Sequence, residues 1–457
     1  MEGPAGDAGQ QPEAGSEKAA GDFDGGKFYD KLFMLSRKFQ QRSFMNKKTR
    51  SIIFAYVGVL TGAGLASGQE LMQYFLSFGL SGLYAIAAVG VLHVVVGGIV
   101  LQLGSHFVAE SHIDVLDEVT STAVTKFMDY ALIVNCFLMG FVMIAGAGSN
   151  LNQQFGLAPW VGSLLCTVLI VVVGMLDFDK VAKIIGAFTP LVLVFTLIGA
   201  VYTMVKATPD AAFLDALGKS LPPALPNLPL STINYFGLCM ISGISMAFVL
   251  GGSKTDPAEA RIGGMIGGGL VAILTGLVGA TLFLDLGIVK DADIPMQTVL
   301  DSVHPAMGLA MSVIIFGMIF NTGMSLFYSA ARRFSHTEGS FKRNLILFTL
   351  AGFGLSFMGF KKLMAILYPI LGYLGLILIL ILIGAWIRER SEIKSEIKKR
   401  KKINRLTRKK LDDDLEFSKK DKEKLDQLAE ASIIEDKKIK EAVAEEVSEA
   451  LEDEKDE

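Results

Sequence analysis

Four glycines, two hydroxyl residues and one carboxylic acid crowd an otherwise apolar stretch: Gly58, Thr61, Gly62, Gly64, Ser67, Gly68 and Glu70. Each interior glycine lowers helix propensity by about 1 kcal/mol relative to alanine, and Thr and Ser compete for backbone hydrogen bonds. Together they mark a place where a helix can open. An opened helix presents free N–H groups at the start of its second half and free C=O groups at the end of its first. The N–H groups attract an anion and the carbonyls a cation, so one break can hold a zwitterionic solute together with its coupling ion. The competing reading is close helix packing through the small pair Gly64 and Gly68. Packing leaves Glu70 unexplained. A carboxylate inside a membrane costs about 2.5–3.5 kcal/mol on insertion scales, so it faces a wet pathway or lies near the interface.

A second constellation stands 179 residues downstream, where Tyr235, Gly237 and Gly243 fall in register with Tyr56, Gly58 and Gly64. Interrupted segments at matching positions of two halves point to a transport site. The expected substrate contacts are the backbone at Gly62, Ala63, Gly64, Ala66 and Ser67 for an anionic end, with Glu70 as the amine contact or proton-coupled group. Ser242, Gly243 and Ser245 are expected to form the opposing wall, and Tyr235 to close the pocket. Further on, Thr322 and Ser325 are three apart and share a helix face, with Asn321 adjacent. Their oxygens, with carbonyls near Leu60 and Ala63, suit a hard cation such as sodium; the same hydroxyls equally suit interhelical hydrogen bonds.

The elements that must position these groups are set by composition. Apolar residues make up 51% of the 457 residues and charged ones 19%. Residues 388–457 carry 42 of the 89 charges and residues 1–50 carry 16, leaving 31 for the 337 residues between. A soluble domain is about one-quarter charged. That excludes a soluble enzyme, a nucleic-acid binder and a disulfide scaffold. Cys136, Cys166 and Cys239 lie in apolar stretches and read as small hydrophobes. No Walker A pattern and no nucleophile–histidine constellation occurs, so neither an ATP-driven pump nor an enzyme is expected, and no organic cofactor. The start carries no apolar h-region and does not read as a signal peptide.

A span needs roughly 20 apolar residues. Ten are read, at about 52–78, 82–108, 127–150, 159–176, 181–205, 230–252, 262–286, 305–331, 344–359 and 363–387. The fold expected is an all-α polytopic membrane protein, ten transmembrane helices as two inverted five-helix repeats, with helices 1 and 6 interrupted. The repeats would cover 51–206 and 230–387, joined by an external loop at 207–229. Lys and Arg in the loops place both termini in the cytoplasm at the cell membrane; Lys361 and Lys362 run against that bias. Residues 1–26 read as a disordered tail. Residues 27–50 read either as an interfacial amphipathic segment or as leader. The charged tail 388–457 reads as a solvated helix or as disorder, with the basic run from Lys398 to Lys402 near anionic lipid headgroups.

The Gly-Ala-Gly-Leu-Ala-Ser-Gly-Gln-Glu core of the first span resembles the first-helix signature of the YkvI-like amino acid permeases, of the amino acid–polyamine–organocation superfamily. Asp293-Ile-Pro295-Met, Asn321-Thr322 and the run from Tyr368 to Gly375 extend the resemblance over about 51–385. It implies the leucine-transporter fold and transport by rocking of a bundle against a scaffold. Two departures stand out: the sixth span lacks a Tyr-Asn pair near Leu238 and Cys239, and Asn321 replaces a hydroxyl residue.

Other titratable groups have two readings each. His93 is a proton relay or a hydrogen-bonded packing residue. His106, Glu110, His112 and Asp114 have loose metal spacing and read as a solvated loop. Asp129 and Asp285 read as interfacial, or as gating groups. The function expected is secondary transport of a small amino acid or related zwitterion, coupled to sodium or protons. The rivals are a ligand-sensing receptor on the same fold, motivated by the long tail, and a lipid-handling protein or flippase, which would need a lateral groove with a polar pair.

Overall fold

The computed structural model describes residues 47–175, 188–208, 210–412 and 415–456. The tail 1–26, most of the segment 27–50 and the start of the fifth span lie outside the described residues. The first span is three pieces: α1 (Lys47–Leu60), α2 (Ala63–Ser67) and α3 (Gln69–Tyr74). It leads through a 3-10 turn, Leu76–Phe78, into α4 (Ser81–His106). Then follow α5 (His112–Val119), α6 (Thr122–Phe155), α7 (Pro159–Gly174) and α8 (Phe188–Lys206). The loop expected at 207–229 contains a short helix, α9 (Ala211–Lys219), whose first turn is capped by Asp210. The second half holds α10 (Leu228–Gly252), α11 (Pro257–Leu284), α12 (Leu286–Val289), α13 (Pro295–Val303), α14 (Pro305–Arg333) and α15 (Glu338–Ser356). The chain ends in α16 (Phe360–Leu411), α17 (Lys419–Glu430) and α18 (Asp436–Asp456). Proline in the first turn starts α7, α10, α11, α13 and α14, where its missing N–H is one that no helix would pair.

Among the described residues, six helices (α4, α6, α10, α11, α14 and α16) are long and apolar enough to cross a membrane. Two shorter apolar helices, Pro159–Gly174 and Pro190–Lys206, stand at the fourth and fifth expected spans. Lipid provides no hydrophobic drive between helices, so close packing through small residues takes its place. In α4, Gly97 lies against the backbone of Gly264 in α11, and the His93 backbone lies against Gly268. In α16, Gly372 and Gly375 lie against the Asn234 and Gly237 backbones of α10. A β-carbon at Gly375 would sit 1.9 Å from the Gly237 carbonyl oxygen. Gly375→Ala is therefore expected to lower stability by about 3 kcal/mol. Thermal unfolding in detergent should show that loss, while Gly384→Ala, with nothing within 4 Å, should unfold like the parent.

Two expectations are corrected. The sixth span is not interrupted: α10 is helical from Leu228 to Gly252. Its glycines admit neighbours instead. Gly237 receives α16, and Gly243 receives the Val59 and Leu60 side chains. Ser242 donates back to the Leu238 carbonyl at 2.9 Å, within the helix. The tail is helical, as one of its two readings had it, and most of its described charges face water, but it is not a lone solvated helix. α16 runs straight through residue 388, and α17 and α18 fold back on it around a small core of Ile403, Leu425, Ala429, Ile439 and Val443. The period of those apolar residues was masked by the density of charge around them. The basic run divides: Arg400 is buried, whereas Lys398, Lys401 and Lys402 stay exposed. Lys361, awkward for topology, donates to the Asp291 carbonyl at 2.8 Å and pairs with Asp293 at 3.4 Å.

Candidate functional site

The first span breaks where its glycines and hydroxyls predicted. α1 ends at Leu60, and Gly62 starts α2 with φ −56° and ψ −166°. Thr61 Oγ1 donates to the Val57 carbonyl at 2.8 Å, closing the end of α1. A five-residue helix has no room to pair its first N–H groups internally, so those of Ala63, Gly64 and Leu65 face the break. A second break follows at Gly68, which has φ +79° and ends α2 with αL geometry. Ser67 steadies it, donating to the Gly64 carbonyl and accepting from Gln69 N–H.

The turn at Gly68 brings Glu70 back alongside α2. A β-carbon at Gly64 would lie 1.6 Å from Glu70 Oε1, so the carboxyl group fills the space that glycine leaves. Glu70 is 7% exposed. Tyr235 of α10 donates to Glu70 Oε2 at 3.3 Å. The fully buried Tyr368 hydroxyl of α16 faces the same carboxyl group without closing a hydrogen bond. Tyr74 and Phe75 pack on the Tyr235 ring, with centroids 5.3 and 5.0 Å away. Tyr74 in turn donates to Asn234 Oδ1 at 3.1 Å, and Asn234 Nδ2 donates to the Pro369 carbonyl at 2.9 Å. Three spans thus converge on one buried acid.

The expected residues do not all meet there. Glu70, Gly64 and Tyr235 come together, and Gly243 meets Leu60 at the end of α1. Ala63, Ala66 and Ser67 are buried in α2. Ser242 is exposed, and Ser245 departs from the site to bond His112 Nδ1 at 3.1 Å. Asn321, Thr322 and Ser325 are half-buried on α14, which packs against α2. Beside the break, Thr61, Leu65 and Ala66 face Thr196 of α8, Val278 of α11 and Met318 of α14 across a cleft with about 10 Å³ of room for a water-sized molecule. That is enough for one water and too little for an amino acid. Tyr74, Asn234, Tyr368 and Thr196 were missed as site residues. Tyr368 had a signal in the Tyr-Pro motif of the tenth span; Thr196 had none, being one hydroxyl in an apolar run.

The remaining candidates have structural partners. His93 is buried, with its ring edge-on to Phe236 at 5.0 Å and Nδ1 unpaired among the described residues. The four candidates from His106 to Asp114 are not uniformly solvated: His106, the last residue of α4, is fully buried, and of the four only Glu110 stays well exposed. His112 bridges two elements, since its Nε2 meets Asp129 Oδ1 at 3.2 Å. Burial pushes its imidazole below the usual range, against the pull of Asp129. Asp129 also pairs with Arg333 of α14, and Asp285 accepts from Thr203 at 2.6 Å. A lateral groove between α4 and α11, lined by Leu83, Ile86, Gly90, Val91, Ala272 and Ile273, has apolar walls only, so the polar pair that lipid handling needs is not at this groove.

Fold and site together define a polytopic helical membrane protein with a twice-broken first span folded around a buried carboxylic acid. Its fold is shared with MhsT, solved as a crystal structure in complex with L-phenylalanine: TM-score 0.53 at 15% identity, covering 87% of this chain and 97% of that one. No family model matches the sequence. Among curated proteins, the chain is similar to the uncharacterized membrane protein YkvI of Bacillus subtilis strain 168, 22% identical over 329 residues (71% of this chain, 92% of the relative). It is also similar to the uncharacterized protein YyaD of the same strain, 26% identical over 330 residues (72% and 94%). The resemblance read from the first-span motif is thereby borne out.

Proposed function

We propose that this chain is a secondary active transporter of a small amino acid or related zwitterion, working by alternating access and coupled to sodium or protons. The observation that carries the reading is the buried Glu70 carboxyl group, held against the broken backbone of α2 by Gly64 and bonded by Tyr235. A carboxyl group this far from solvent is rare in membrane spans unless a pathway reaches it. The architecture proposed with it is ten crossings in two inverted five-helix halves, both termini cytoplasmic at the cell membrane, and only the first-half break realised as a gap in the helix. The likeness to MhsT supports the fold, and its L-phenylalanine complex supports the choice of amino acids as the first solutes to try.

The solute's anionic end is proposed to meet the N–H groups of Ala63, Gly64 and Leu65, and its amine to meet Glu70. Ser242 and Ser245 leave the proposed wall; Tyr74 and Tyr368 join it. The cation set stays as Leu60 and Ala63 carbonyls with Thr322, Ser325 and Asn321. The test is isotopic uptake of pooled amino acids into proteoliposomes, with and without sodium and with and without a proton gradient. Accumulation that depends on one gradient is expected; binding without counterflow would favour the receptor. If the cation is sodium, Thr322→Ala with Ser325→Ala should raise the half-saturating sodium concentration about tenfold, since each lost hydroxyl ligand is one hydrogen-bond-strength contact. An unaltered sodium response in a sodium-driven protein would move the cation elsewhere.

A further inference from the structure

The C-terminal domain holds buried charge against two separate pieces of the membrane domain and a surface ion pair against a third. Arg400 of α16 is 1% exposed. It donates to the carbonyls of Ser105 and His106 at the end of α4, both at 2.6 Å, and pairs with Glu396 at 3.1 Å. Arg400 also reaches the Thr255 carbonyl at 3.4 Å. Glu446 of α18 accepts from Thr255 N–H at 2.8 Å and from its hydroxyl at 2.5 Å, in the turn between α10 and α11. The same carboxylate pairs with Lys254 at 2.5 Å, and Lys254 also meets Glu259. Ser105 Oγ donates to the Lys254 carbonyl, tying the two loops to each other. Glu449 pairs with Lys48 at the start of α1. Val108, with φ +47°, leaves the membrane domain to join the tail's apolar core. A β-branched residue in that conformation persists only where its surroundings hold it.

Buried ion pairs gain little stability over apolar packing, but breaking one strands a buried charge. Burial opposes the charge on Glu446, yet Lys254 and the Thr255 hydrogen bonds hold its carboxyl group below the usual carboxylate range. Such contacts fix position more than they add stability. The elements fixed are the ones that carry the site: α1 leads to the break, and α10 carries Tyr235 and Gly243 toward it.

We propose that the C-terminal helical domain is an intramolecular clamp, which through Arg400, Glu446 and Glu449 ties the start of α1, the end of α4 and the α10–α11 turn into one unit and so sets how far the site opens toward the tail side. The inference goes beyond the transport reading and needs no substrate to test. Hydrogen–deuterium exchange is measured on the full chain in lipid nanodiscs for the parent, Glu446→Gln and the surface variant Glu449→Ala. Glu446→Gln should raise exchange about fivefold in 47–56, 104–112 and 252–258 together. Glu449→Ala, which keeps the buried contacts, should raise it in 47–56. A rise confined to 436–456, or to one contact segment in Glu446→Gln, overturns the clamp. The second readout is labelling of Gly62→Cys, at the break where a β-carbon has open space, by an impermeant maleimide from the tail side, above the background of the three native cysteines. Adding Glu446→Gln should change that rate by more than about threefold; a smaller change overturns the link to the site.

Discussion

Replacing Gly64 with alanine is expected to abolish the proposed uptake while leaving a folded, membrane-inserted protein. The reason is steric and local. The new methyl group would meet Glu70 Oε1 at 1.6 Å, Cδ at 2.3 Å and Oε2 at 2.9 Å, so it displaces the whole carboxyl group rather than the tip of a flexible chain. Glu70 has little room to yield. Tyr235 bonds one oxygen, Tyr368 stands beside it, and the rings of Tyr74 and Phe75 back the tyrosine. The helix itself tolerates alanine at this position, which has ordinary helical geometry, and alanine favours helix. Misplacing one functional group by about 1 Å costs on the order of 10²-fold in rate where geometry governs turnover. Uptake of pooled amino acids should fall by that order or below detection, with the protein still folded and its stability lowered by about 1–3 kcal/mol from the overpacking. Gly276→Ala, at a glycine with nothing within 4 Å, is the matched control. If Gly64→Ala transports like the parent, the carboxyl group beside α2 has no part in the site.

That prediction shows how much of the site the sequence carried. The break was legible because helix opening is a local property: four glycines and two hydroxyls within a short apolar run weaken one helix wherever it packs. Glu70 was legible because an acid in such a run has few comfortable places. The register with the sixth span misled, since the same residue types serve two ends. At the ends of α2 the glycines relieve a turn, with Gly68 at φ +79°; in α10, Gly237 and Gly243 only make room for α16 and α1. Whether a glycine opens its own helix or admits a neighbour depends on what packs against it, which a single segment does not encode. The tail failed for a related reason. Its charges read as solvated because most of the described acids and bases of 388–457 do face water, yet Arg400 and Glu446 found partners at the end of α4 and in the α10–α11 turn, some 150 to 300 positions earlier. Ser245 and His112 met on the same terms, through tertiary contact alone.

Glu70→Gln separates the two roles that the acid can play. Glutamine keeps the volume beside Gly64 and keeps an oxygen to accept from Tyr235, so the fold and the two breaks should survive. What it removes is charge and the ability to exchange a proton. A hydrogen bond to a charged partner is worth about 1.5–3 kcal/mol, so loss of an amine contact should raise KM about 10- to 100-fold with the pH profile of uptake intact. A proton carrier behaves differently. With no titrating group left, transport at saturating solute should lose its dependence on pH and on the proton gradient, while KM changes little. Tyr235→Phe is the companion variant: it removes one donor to the carboxyl group and keeps the ring packed on Tyr74 and Phe75. It should move the same parameter as Glu70→Gln by a smaller factor, because the acid itself remains. Initial rates across pH, at limiting and at saturating solute, decide between the roles. Glu70→Gln rates that match the parent under both conditions would leave the acid a buried packing group and remove the observation on which the transport reading rests.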